Sequence, residues 1–126
     1  QVPVYFMNVL QSLPLIKAGK LRALGVTSPQ RSAIAPELPA IAQDVPGFDM
    51  TNWYGLLVAG GTPRDIIHKL QQEVARVLNL PELKERMAGE GMTMVASTPE
   101  QFAEFLARET AKYNRIIQAA GIKNSQ

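Results

Sequence analysis

The chain offers few side chains able to do covalent chemistry. His68 is the sole histidine and cysteine is absent, which excludes thiol nucleophiles, disulfides and multi-histidine or cysteine-rich metal centres. No Gly-x-Ser-x-Gly elbow and no phosphate-cradling glycine motif occurs, and the isolated Gly60-Gly61 pair reads as a tight turn. On helical spacing His68 lies beside Arg64 and Gln72, away from the apolar stripe, with no nucleophile or orienting partner at recognisable spacing. It reads as a solvated surface histidine. The acidic residues Asp65, Glu73, Glu82, Glu85, Glu90, Glu100, Glu104 and Glu109 mostly fall where helix solvent faces are expected, whereas general acid–base work needs a carboxylate held desolvated in a cleft. The residues therefore give an enzyme nothing to stand on, and they point to no cofactor.

Two places do have a binding logic. In Asn8-Val9-Leu10-Gln11-Ser12 a polar stretch leaves a strand-like run and enters a helix. Ligands of open α/β sheets sit outside the carboxyl ends of strands, and helix N-termini offer free N–H groups to anions. Asn8, Gln11 and Ser12 can thus help hold a carboxylate, or they can merely cap the helix and satisfy the turn. Thr27 and Ser28 occupy an equivalent strand end, where Pro29 already accounts for the turn. Trp53 and Tyr54 also have two readings. They are core aromatics of a strand, or they floor a cleft with the Tyr54 phenol as polar handle.

The elements that must position these residues can be read in order. Val2–Met7 is apolar and β-branched or aromatic, a strand pattern, with Pro3 keeping its first residues at an edge. Leu13–Ala18 fits a short helix closed by Gly19. Leu21–Val26 reads as a second strand. Four prolines follow (Pro29, Pro36, Pro39 and Pro46), with a helical turn expected around Leu38–Gln43. Trp53–Val58 is apolar on both faces and reads as a buried strand. After Gly60-Gly61 come a helix with Thr62 at N-cap and Pro63 at the first helical position, a second helix over Pro81–Ala88 ended by Gly89 or Gly91, and a short strand over Met92–Ala96. A capping box at Thr98-Pro99-Glu100-Gln101 then opens a last helix that Gly121 closes. Strands alternating with helices, then a helical second half, make the class α/β.

Composition is that of a globular protein: 126 residues, 46% hydrophobic and 19% charged. The net charge of +2, from 13 basic and 11 acidic residues, is scattered without a basic stripe, which speaks against a nucleic-acid partner. No apolar run approaches the roughly 18 residues of a membrane-spanning helix. The chain opens on Gln1 without a signal-peptide pattern, straight into strand-like sequence, so it is expected to be a fragment.

The run Leu13-Pro14-Leu15-Ile16-Lys17-Ala18-Gly19-Lys20-Leu21-Arg22-Ala23-Leu24-Gly25-Val26-Thr27-Ser28, with Arg31 just after, resembles a signature stretch of the Bug (TctC-like) solute receptors of tripartite tricarboxylate transporters. Glu37-Leu38-Pro39, Pro46-Gly47-Phe48, Trp53-Tyr54-Gly55-Leu56-Leu57, Gly61-Thr62-Pro63, Ser97-Thr98-Pro99-Glu100-Gln101-Phe102 and Ala120-Gly121-Ile122 agree in order. The resemblance implies a two-lobed, Venus-flytrap periplasmic binding fold. Such a receptor captures a small carboxylate or related metabolite and delivers it to membrane permease subunits. On that model residues 1–52 are the last part of the second lobe, 53–58 a hinge or crossover strand, and 59–126 a segment that packs on the first lobe. Asn8, Gln11, Ser12 and Tyr54 become ligand-binding candidates, with Trp53, Gly55, Gly60 and Gly61 at the hinge. Pro3 and Met7 stand where the family usually has aspartates, and Leu10-Gln11 where it usually has Pro-Ser. Asn8 matches the pattern.

A reading of a different class is a self-associating remnant. Apolar faces that a missing lobe would cover must find another partner, and a homodimer or swapped oligomer is the economical outcome.

Overall fold

The computed structural model describes residues 4–122. Among them are four α-helices, α1 (Val9–Lys17), α2 (Arg64–Leu78), α3 (Pro81–Gly89) and α4 (Pro99–Ala119), and a 3₁₀ turn over Ile41–Gln43. The backbone groups into two compact units, each assembled from separate stretches of chain. Of the described residues, 4–57 and 81–94 form one, and 58–80 and 95–122 the other. The segment after residue 58 is thus shared between both units, with α3 counted with the N-terminal half.

In the first unit, local hydrogen bonding does most of the work. The helix expected at Leu13 starts earlier, at Val9, so Pro14 sits inside it and the stretch expected as a polar break is its first turn. The reason is that Asn8 already has a non-helical, N-cap-like backbone and its carbonyl accepts from the Ser12 N–H at 3.0 Å. Pro14 lacks only the single N–H that would have reached Leu10. Beyond it, Val26 and Ala40 form a parallel bridge, with the Val26 N–H donating to Pro39 (2.9 Å) and the Ile41 N–H to Val26 (3.0 Å). Gly25 is required beside this bridge, because a Cβ there would lie 2.9 Å from the Pro39 carbonyl oxygen. The buried hydrophobic residues described, Val26, Ala35 and Ala40, sit on this bridge and its neighbouring turn. Arg31 staples the same loop. Its guanidinium donates to the Pro36 carbonyl at 3.0 Å, and to the Glu37 carbonyl and Gln43 Oε1 at 3.5 Å.

The strand expectations are corrected. Residues 4–7, 21–25, 53–58 and 92–96 form no β-ladder among the described residues; residues 1–3 lie outside them. These runs carry strand-like side chains, but a strand exists only where a neighbour pairs with its backbone, and among the described residues no β-bridge reaches them. Trp53–Val58, expected to be buried, is instead exposed, with Tyr54 at 80% and Leu57 at 73%.

In the second unit, α2 and α4 touch, with their first turns facing each other. On α2 the half-buried positions are Ile67, Gln71, Ala75 and Leu78, while Ile66, Leu70, Val74 and Val77 stay exposed. Only part of the apolar stripe is therefore used. Gln71 Nε2 donates to the Ser97 carbonyl at 3.3 Å, and Phe102 stacks on Phe105 with ring centroids 6.2 Å apart. The α2 start differs from expectation by one residue. Pro63 is the N-cap and the Thr62 hydroxyl donates back to the Ala59 carbonyl at 2.7 Å, closing the Gly60-Gly61 turn. The capping box of α4 forms as expected: the Gln101 N–H donates to Thr98 Oγ1 (3.2 Å), and the Thr98 N–H donates to Gln101 Oε1 (2.9 Å).

Three helices end by the same device. After α1 the N–H groups of Gly19 and Lys20 donate to Ile16 and Leu15. After α3 those of Gly91 and Met92 donate to Ala88 and Met87, and after α4 those of Gly121 and Ile122 donate to Gln118 and Ile117. Each is a Schellman ending, with the glycine in the left-handed region.

Candidate functional site

The polar residues singled out from the sequence gather at the start of α1. Asn8 occupies the N-cap position, yet its side chain makes no capping hydrogen bond. The first-turn N–H groups, which have no intrahelical acceptor, are left without that side-chain acceptor, and the helix dipole favours an anion beside them. Gln11 is exposed on this first turn. Ser12 is engaged otherwise: it is half-buried and its hydroxyl donates to the Val9 carbonyl at 2.9 Å. Asn8 and Gln11 thus keep donors to offer, and Ser12 has spent its only hydroxyl proton on the backbone.

Tyr54 is exposed on the extended run, and no hydrogen bond among the described residues joins it to Asn8, Gln11 or Ser12. The chain passes from one compact unit to the other between Leu57 and Val58, within the run read as a crossover. Gly61 has φ +85°, which the turn there requires. At the second strand end, the Ser28 hydroxyl donates to the Gln30 carbonyl (2.7 Å) and the Thr27 carbonyl accepts from the Met50 N–H (3.0 Å). That end is consumed by its own turn.

A second polar cluster was not legible from spacing alone. Arg64 and His68 of α2 face Glu100 of α4 across an open groove of about 240 Å³ floored by Ile67, Pro99 and Ala103. The Glu100 carboxyl is held below the usual carboxylate value, first by its own backbone N–H, then by the Thr98 hydroxyl, with smaller help from the charges of His68 and Arg64. The Arg64/His68 spacing was visible in the sequence; which helix faced it was not. Glu90 is half-buried, and a second acidic residue departs further from the solvated-face expectation. Glu109 is largely covered, paired with Lys112 one turn on, whose ammonium lies 5.3 Å from the Tyr113 ring centre. Among the described residues no group of three or more acidic or histidine side chains is placed to hold a metal ion, and no helix is long and apolar enough to cross a membrane.

The chain is similar to several known proteins. A protein from Pseudomonas sp. strain P51, the UPF0065 protein in the tcbD-tcbE intergenic region, is 34% identical over 104 residues, 81% of this chain and 31% of the relative. Protein BugT of Bordetella pertussis is 31% identical over 117 residues, 92% of this chain and 36% of the relative. Among solved structures, R. palustris Rpa4515 with adipate matches at a TM-score of 0.76 and 28% identity, covering 90% of this chain and 38% of that one. The periplasmic binding protein BugD matches at 0.77 and 26%, covering 89% and 38%. The chain therefore spans about two-fifths or less of these relatives. Its fold is part of a two-lobed, α/β periplasmic-binding-protein fold. The family model described as the tripartite tricarboxylate transporter family receptor matches residues 1–122, and the chain belongs to that family.

Proposed function

We propose that this chain is part of an extracytoplasmic, periplasmic receptor that captures a small carboxylate or related metabolite for the permease subunits of a tripartite tricarboxylate-type transporter. The observation that carries the reading is the start of α1, where Asn8 caps nothing and the first-turn N–H groups lack a side-chain acceptor, in a chain of this receptor family. A carboxylate needs two or three convergent donors and no acceptor in front of it, and Asn8 and Gln11 with the helix N–H groups meet that need. The adipate that accompanies one structural relative, R. palustris Rpa4515, is a carboxylate, which supports the ligand class. Residues 1–52 supply the ligand-holding part of one lobe and 53–58 the crossover. Trp53, Gly55, Gly60 and Gly61 form the hinge, and Tyr54 brings its phenol toward the cleft on closure. Residues 59–126, α3 apart, belong to the other lobe. Capture and release needs no nucleophile or base, in keeping with the residue inventory.

Calorimetric titration with adipate and a panel of other di- and tricarboxylates tests the reading. A receptor carrying this segment should bind at least one of them, and the 126-residue chain alone weakly or not at all. Failure of the whole panel on the receptor would overturn the ligand class, and micromolar binding by the chain alone would overturn the half-site.

A second reading is favoured by one observation. Ile66, Leu70, Val74 and Val77 expose an apolar strip along α2, and Val4–Met7 and Tyr54–Val58 are exposed as well. On its own, the chain covers these by pairing with a second copy. Light scattering distinguishes the two states: a monomer at high concentration would sink this reading and leave the receptor reading intact.

A further inference from the structure

We infer that the groove between the starts of α2 and α4 is a second, dipolar site, which takes a small aliphatic α-amino acid with its carboxylate on Arg64 and His68 and its ammonium on Glu100. All the lining residues belong to one compact unit, and none belongs to the candidate site at α1.

The two walls carry opposite charge. Arg64 and His68 are four residues apart on α2, so their side chains share one face, while Glu100 stands on the first turn of α4. Among the described residues no ion pair joins Glu100 to Arg64 or to His68. The space between them is instead open, about 240 Å³. A molecule that carries both charges a few bonds apart satisfies both walls at once. A simple anion would also meet Glu100, and a simple cation would also meet Arg64.

The helix ends fix which way round the ligand lies. Pro63, at the N-cap of α2, makes no side-chain capping bond, so the free first-turn N–H groups add their positive potential to that of Arg64. At α4 the same donors are already used. Pro99 has none, the Gln101 N–H goes to the Thr98 hydroxyl oxygen, and the Glu100 N–H goes to its own carboxylate, which Thr98 also bonds. Glu100 is thereby a tethered negative charge at a satisfied helix end. The carboxylate of the ligand therefore turns to α2 and its ammonium to α4.

The floor sets the size and character of the rest. Ile67, Pro99 and Ala103 are apolar, with Ile67 half-buried, and they give a short aliphatic side chain a surface to lie on. Drug-sized ligands occupy pockets of about 300 Å³ or more, so this groove fits a smaller molecule. Its charged walls are exposed and each ion pair contributes little, so the expected affinity is on the order of millimolar.

His68 is the sole histidine, so its ring signals in proton NMR report on this groove and not on α1, and this proposal and the receptor reading can each fail alone. The full chain is titrated at fixed pH and ionic strength with L-leucine, with 4-methylpentanoate, which lacks the ammonium, and with 3-methylbutylamine, which lacks the carboxylate. Leucine should move the His68 signals along a saturating curve, about threefold or more tighter than either analogue. Arg64→Gln and Glu100→Gln should each weaken leucine by about threefold. Lys69→Gln, which removes a charge from the same helix outside the groove, should leave it unchanged. Absence of saturation by leucine, an analogue that binds as tightly, a null effect of either groove variant, or equal weakening by Lys69→Gln would each overturn the proposal.

Discussion

A Cβ built on Gly91 would fall 2.5 Å from Ile34 Cδ1 and 3.1 Å from its Cγ1. The residue that ends α3 is thus pressed against a loop far earlier in the chain, and it holds φ +73° while doing so. Helix ending and tertiary contact depend on the same missing side chain.

Gly91→Ala is expected to destabilise the chain by about 1–3 kcal/mol, from the left-handed backbone and the overpacking together. Chemical denaturation measures it. Ile34→Ala in the same chain should recover the steric part and leave the backbone part, so full recovery or none would contradict this division.

At the start of α4, Thr98→Ala removes the acceptor for the Gln101 N–H and is expected to cost about 0.5–2 kcal/mol. The loss should appear as fraying of the first turn in amide hydrogen exchange. An unchanged exchange rate at Gln101 would show that the cap contributes nothing.

The same turn gives a pH dependence. The folded-state pKa of Glu100 is lowered, so the unfolded chain takes up a proton more readily. The contribution is present above the ordinary carboxylate value of 4.5 and is lost as pH falls through the lowered value. Glu100 is fully exposed, so the readout is local. Its carboxyl resonance should titrate below that of an unperturbed glutamate, and Thr98→Ala should move it upward. A midpoint at or above the ordinary value would refute this.

At the start of α1 the candidate donors should separate. In a carboxylate-binding receptor, Asn8→Ala is expected to weaken binding by roughly tenfold to a hundredfold, the loss of a hydrogen bond to a charged group. Ser12→Ala should change affinity little, because its hydroxyl proton is already given to Val9. Equal losses at both positions, measured by calorimetry, would contradict this ranking.

Much of the helical half was legible because its signals are local. The Thr98–Gln101 capping box and the endings at Gly19 and Gly121 each rest on a few adjacent residues and stand where the sequence puts them, and of Gly89 and Gly91, both open to end α3, the structure uses Gly91. The strands were not legible in the same sense. Val4–Met7 and Trp53–Val58 have the side chains of strands, but pairing depends on a partner that no local pattern supplies. The start of α1 was misplaced because Pro14 reads as a first-turn proline, while Asn8, well before it in the chain, sets the true beginning. At the candidate site, residue types pointed to Asn8, Gln11 and Ser12 together. Only the geometry separated Ser12 from the others, since a hydroxyl's choice between ligand and backbone leaves no mark in composition. The groove of Arg64, His68 and Glu100 joins residues on two different helices, beyond any spacing rule.

The three glycine endings carry a consequence for how this segment can be handled. Since each of these helices writes its own stop into the backbone, the last turn carries its own hydrogen-bond acceptors and donors. Chimeras can therefore be cut just after Lys20, Met92 or Ile122, because a graft then inherits a helix with both closing hydrogen bonds in place instead of one that must be trimmed by its new neighbours.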